Sequence, residues 1–286
     1  ITDQYQPRIG FIYEPGTLGS HKVFASFGRF YGQVPTWSPG YYFIASEQYT
    51  AHYRQDPRID PTPKDSVLLL PNPPGIGKLK GPHFDEFTLG YERDVRHTLK
   101  LGVRGIFRDQ KETIEDASNS AGVFLLGNPG KGSLNFLPGP DRTYIALELT
   151  TEKLVGDRGN FIASYVLSRK HGNYDGLDFG NGGPQFDFPA GLTNLTGLLN
   201  SDRTHVLKLA GSYRVVTGLT AGSTWILQSG TPISELGSTG TYVPAYLKPR
   251  GSVGRTPTIW NMDMRLAYDR LGVRGTALRP KLTLDL

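Results

Sequence analysis

The residues best suited to chemistry are a glycine–lysine turn, six histidines, an acidic loop and a pair of glutamates. A phosphate-cradling loop needs a glycine five residues before its Gly-Lys pair and a hydroxyl residue after it. Gly127-Asn-Pro-Gly-Lys-Gly-Ser comes near this, but Leu125 stands where the first glycine belongs and Gly132 follows the lysine. A turn in a loop is therefore expected. The histidines at 21, 52, 83, 97, 171 and 205 are scattered, with no HExxH and no helical i, i+4 pair that would hold zinc. Asp175, Asp178 and Asn181 would suit a calcium ion, yet they lack the EF-hand spacing and its closing glutamate. Glu148 and Glu152 share one face of a strand about 13 Å apart, too far for a glycosidase pair. There is no GxSxG elbow and no cysteine. No enzyme is expected, nor any cofactor or metal.

The elements that carry these residues read as strands. Trp260, Met262, Met264, Leu266 and Tyr268 alternate with Asn261, Asp263, Arg265 and Ala267. Leu99, Leu101, Val103 and Phe107 oppose Lys100, Arg104 and Arg108, and Ile145, Leu147 and Leu149 oppose Glu148, Thr150 and Glu152. Leu207, Leu209 and Tyr213 oppose Lys208, Ser212 and Arg214. A period of two puts each set on its own face of a strand. This predicts ten strands, over 5–13, 20–31, 83–94, 97–109, 141–153, 159–171, 203–215, 218–230, 257–270 and 277–286. At about 9–13 residues each they are long enough to cross a bilayer when tilted.

The connections alternate in length. Short ones lie at 14–19, 95–96, 154–158, 216–217 and 271–276, and long ones at 32–82, 110–140, 172–202 and 231–256. An up-and-down membrane barrel with tight turns on one side and large loops on the other produces this rhythm. The first long loop also holds Gly40-Tyr-Tyr-Phe-Ile-Ala-Ser, for which a small hairpin above the membrane is expected. A net charge of +5 is too diffuse for nucleic acid, and no apolar run is long enough for a membrane helix.

Alternation alone fits either a soluble sandwich or a barrel. Charges of both signs on the polar faces favour a wet lumen. Tyr13, Phe107, Tyr144, Phe161, Tyr213 and Tyr268 near strand ends favour an interfacial girdle. The fold class expected is all-β, an antiparallel transmembrane barrel wall. On facing, Arg104, Arg108, Lys208 and Arg265 are the candidate ligand contacts.

Several segments are similar to Oar-like TonB-dependent receptors. Pro7-Arg-Ile-Gly-Phe-Ile-Tyr resembles that family's opening strand, and Lys22-Val-Phe-Ala-Ser-Phe-Gly-Arg-Phe-Tyr the next. Glu86-Phe-Thr-Leu-Gly-Tyr-Glu-Arg, Tyr144-Ile-Ala-Leu-Glu-Leu-Thr-Thr-Glu-Lys, Gln228-Ser-Gly-Thr-Pro-Ile-Ser and Pro249-Arg-Gly-Ser-Val-Gly-Arg-Thr-Pro follow in the family's order. The resemblance implies a barrel of about 22 strands around a plug, in a Gram-negative outer membrane. It implies energised uptake of a scarce ligand, or export, driven by the TonB complex through an N-terminal plug. Residues 1–286 would then be a partial barrel domain, the second half, cut at both ends, with the plug and the remaining strands outside it. A structural or adhesive barrel, or a soluble secreted sandwich, are the alternatives.

Overall fold

The computed structural model describes residues 4–17, 19–32, 49–68, 75–76, 78–95, 97–118, 124–174, 189–238, 244–269 and 280–286. Ten long strands form its wall: β1 (Arg8–Tyr13), β2 (His21–Tyr31), β3 (His83–Val95), β4 (Leu99–Glu112) and β5 (Arg142–Val155), then β6 (Gly159–Gly172), β7 (His205–Val216), β8 (Leu219–Gln228), β9 (Ile259–Tyr268) and β10 (Leu282–Asp285). Each pairs antiparallel with the next in chain order, and a short strand at Gly197–Leu198 adds to β6, giving one eleven-stranded sheet. All ten predicted strands are present.

The turns at one end are tight. Val155 faces Gly159 across the β5–β6 turn, and Val216 faces Leu219 across the β7–β8 turn. Gly156 (φ 55°) and Gly218 (φ 87°) supply the left-handed residue that such a reversal needs. The 271–276 turn, the Gly40 hairpin and the Asp175–Asp178–Asn181 loop lie outside the described residues.

Register separates the two faces of the wall. Phe87, Phe107 and Ile145 form one row, and Tyr91, Val103, Leu149, Tyr165, Leu207, Leu227 and Trp260 another. These side chains are largely exposed, Trp260 at 71%. Among the described residues no second sheet covers them, so the sandwich alternative fails. Small residues let rings lie flat on the sheet. A Cβ on Gly211 would stand 2.5 Å from the Phe161 ring, and one on Gly90 would stand 2.2 Å from Phe24.

The dense packing lies in the long connections. Ala117, Leu134 and Leu137 cluster with Leu125 and Leu192, and Ile114 packs on Leu126 and Leu79. Among the described residues the buried apolar side chains all belong to these connections or their edges, except Ala146. Short strands add order: Tyr49–His52 with Asp65–Leu68, Glu115–Ser118 with Phe124–Gly127 and Gly75–Ile76, Leu236–Ser238 with Pro244–Tyr246, and Pro232–Ile233 with Gly254–Arg255.

Hydrogen bonds lace one connection to the next. Asn173 Nδ2 donates to the Gly139 carbonyl at 2.8 Å, the Tyr174 hydroxyl to Pro138 at 2.6 Å, and Arg250 Nη1 to Asn173 at 3.0 Å. Burial, then the Glu115 carboxylate, pushes the Tyr174 hydroxyl above the ordinary tyrosine range. An acid whose pKa rises on folding stabilises the fold fully below its unfolded pKa. That stabilisation is lost as pH climbs beyond it, above about pH 10 for tyrosine. We therefore expect the loop layer to loosen in alkali, and Tyr174→Phe to flatten that dependence. Near-UV circular dichroism of both proteins across the alkaline range checks this; identical curves would contradict it.

Candidate functional site

The two faces differ most in where charge sits. On the outward face of β3 only Phe87, Leu89 and Tyr91 lie between Asp85 and Arg93. On β4 the outward residues below Asp109 are Phe107, Gly105, Val103, Leu101 and Leu99. On β6 Leu167, Tyr165, Ala163, Phe161 and Gly159 lie below Arg169. β9 shows Trp260, Met262, Met264, Leu266 and Tyr268. On these four strands no charged residue interrupts the band, and on β5 the outward Lys153, opposite Leu99 and Phe161, marks its turn-end edge. The step from Asp85 to Arg93 is about 27 Å along a strand, or about 21 Å of height at a tilt near 40°. That matches the apolar belt of an outer-membrane barrel.

The inward face is charged and internally paired. Lys22 Nζ reaches Glu92 at 2.7 Å. Arg104 is bonded to Glu148, Nε to Oε2 at 2.9 Å, and Arg108 pairs with Glu86. Arg265 holds Asp285 in a fork, at 2.5 and 3.0 Å. Each pair spans neighbouring strands because register places the partners side by side. Lys208 faces inward between Ser164 and Ile226, with no carboxylate partner among the described residues.

All four candidates thus face the interior, but they do not converge. Arg104 and Arg108 lie on β4, while Lys208 and Arg265 lie several strands away. Near Arg265 the small residues Ala210 and Gly222 leave an open hollow of about 730 Å³, lined also by Asn160, Ser212 and Asp263.

One row was not singled out from sequence. Arg8 lies 4.6 Å from the Phe30 ring centre, and Phe30 stacks on Phe84 at 5.3 Å. Arg108 lies 5.3 Å from Phe84 and 5.4 Å from Tyr144. This makes a continuous cation–aromatic row across β1 to β5, on the inward face at the long-loop end. Tyr144, read above as part of an outward girdle, belongs to this row. Its place opposite Arg108 and Lys170 puts it on the inward face. The signal was available, since Phe24, Phe30, Phe84 and Tyr144 share the phase of the charged residues.

An uncharged outward band over a charged inward face is how a lipid-facing barrel wall is built. Over 94% of its length the chain is 32% identical to the TonB-dependent transporter Oar of Myxococcus xanthus. This chain belongs to the TonB-dependent receptors, in the Oar-like branch. It spans 30% of that transporter's length. No family model matches the chain. Solved structures carry the same fold at low identity. The ferric-catecholate import receptor Fiu of E. coli K12 superposes with a TM-score of 0.52 at 13% identity, over 93% of this chain and 28% of that one. The E. coli outer membrane transporter YddB gives 0.55 at 12% identity, over 90% and 33%. These proteins reside in the Gram-negative outer membrane, and this Oar-like wall belongs there too.

Proposed function

We propose that these residues form part of the barrel of an outer-membrane transporter that moves a scarce ligand through a plugged lumen, energised by the TonB complex. Residues 1–286 are read as a partial barrel domain, completed by further strands and a plug. The observation that carries this is the inward face, with paired charges along its length and the Arg8–Phe30–Phe84–Arg108–Tyr144 row at the loop end. Guanidinium and ring faces suit a planar or anionic ligand. Arg104, Arg108, Lys208 and Arg265 are proposed as contacts along the path, with Lys208 open to a carboxylate of ligand or plug.

The test is a comparison of spent medium by mass spectrometry, from cells with the full-length receptor and cells without it. Import predicts a compound that disappears only where the receptor is present and the protonmotive force is intact. Export predicts the reverse. Arg108→Ala with Phe84→Ala should slow that change roughly tenfold, about the loss of a cation–π contact and a charged hydrogen bond. A medium unchanged by the receptor would favour a structural or adhesive barrel.

A further inference from the structure

The outward face changes character abruptly at the long-loop end. Because the strands tilt, the edge of the apolar band steps from Phe107 and Ile145 on β4 and β5 to Leu167 on β6 and Leu207 on β7. Immediately beyond it lie Arg169 and His171 on β6, with Arg203 in the connection just before β7 and His205 as the first residue of β7. Arg169 stands opposite Ile145, exposed, and no carboxylate pairs with it among the described residues. His205 Nδ1 is 2.8 Å from the Tyr165 hydroxyl, and the two rings stack at 6.1 Å. Its second ring nitrogen has no partner among the described residues. Arg203 Nη1 donates to the Ser229 carbonyl at 2.7 Å, which anchors its guanidinium. The nearby carboxylates are already engaged, Asp109 by Lys111 and Asp202 by Arg255.

We propose that Arg169, His171, Arg203 and His205 form a binding strip for the phosphate groups of a phosphorylated lipid headgroup in the outer leaflet. Three features of the strip point to this occupant. It adjoins the band that meets acyl chains, so a molecule seated on it has its apolar part placed against Leu167, Tyr165 and Leu207. It lies at headgroup height, where cations attract phosphate. Three of its donors, Arg169, His171 and His205, stand on strands of one sheet, and the fourth, Arg203, is held by its bond to the Ser229 carbonyl. A free anion would gain the charge but not the apolar contact, so the lipid is the favoured ligand.

The experiment uses the full-length receptor in nanodiscs or detergent, titrated with phospholipid vesicles doped with diphosphorylated lipid A or with its dephosphorylated form. Wild-type protein is expected to prefer the phosphorylated form, and inorganic phosphate at the same concentration should not compete. Arg169→Gln should weaken that preference about fivefold, the factor expected for one cation at a headgroup. Arg169→Lys should keep most of it. Lys153→Gln, which removes an outward cation at the opposite end of β5, should leave it intact. Arg169 is exposed and without a carboxylate partner among the described residues, so its replacement leaves the fold in place; heat-modifiable mobility on gels confirms this for each variant. Equal binding of both lipid forms, an unchanged preference in Arg169→Gln, or full competition by inorganic phosphate would each overturn the proposal.

Discussion

Leu149→Arg is expected to destabilise the wall by about 2–4 kcal/mol, the cost of a guanidinium on the lipid face at mid-bilayer. Leu149 is 44% exposed and sits between Val103 and Tyr165 in the middle of the uncharged band. In water that exposure would make an arginine nearly free of cost, so the size of the effect reports what solvent the side chain meets. Thr150→Arg, one residue along, points into the lumen beside Gly102 and near Glu92, and should cost well under 1 kcal/mol. Urea unfolding of the full-length protein in lipid vesicles measures both. Equal, small effects at the two positions would mean that the band does not face lipid.

The same alternation made the wall readable in the sequence. A strand with one face in lipid and one in water must alternate, and runs such as 260–268 or 99–108 read as strands with two unlike faces, which a sandwich would also show. The inward direction of Arg104, Arg108, Lys208 and Arg265 followed from phase alone. Their partners did not. Whether Arg104 meets Glu148, or Arg265 meets Asp285, depends on register, which turn geometry sets and a single-strand pattern does not contain. The cation–aromatic row was hidden for another reason. Phe30, Phe84 and Tyr144 are aromatic residues in the polar phase, and hydrophobicity alone groups them with lipid anchors.

The loop layer was the least legible part. Its core draws on Leu79, Ile114, Ala117, Leu134 and Leu192, which are far apart in sequence and follow no period. The strands that organise it are two to four residues long, too short for a pattern to register. Gly, Pro, Asn and Asp in these connections predict turns correctly. They do not predict that the turns pack on each other.

The cohesion of that layer rests heavily on Asp202, whose side chain is only 1% exposed. It accepts from the Lys170 backbone N–H and from Arg255 Nη2, each at 2.5 Å. Arg255 also donates to the Gly230 carbonyl at 2.9 Å. One carboxylate thereby ties β6 to the connection that ends at β9. Breaking a buried ion pair from one side leaves the other charge stranded, typically at 3–5 kcal/mol. Arg255 remains 30% exposed, so water recovers part of that loss and Asp202→Ala is expected to cost about 3 kcal/mol. Asp202→Asn keeps an acceptor for Lys170 and should cost roughly half as much.

The damage should stay local, because the wall strands keep their own ladders and lipid contacts. Trypsin reads this directly. Arg250 is 3% exposed and its side chain is bonded to Asn173, so the native loop resists cleavage there. In Asp202→Ala the loop opens more often, and cleavage after Arg250 should rise by up to about a hundredfold if opening precedes proteolysis. The barrel should keep its heat-modifiable mobility throughout. Unchanged cleavage would mean that Asp202 is not what holds the layer together. A barrel that no longer assembles would mean that the loop layer and the wall fold as one unit.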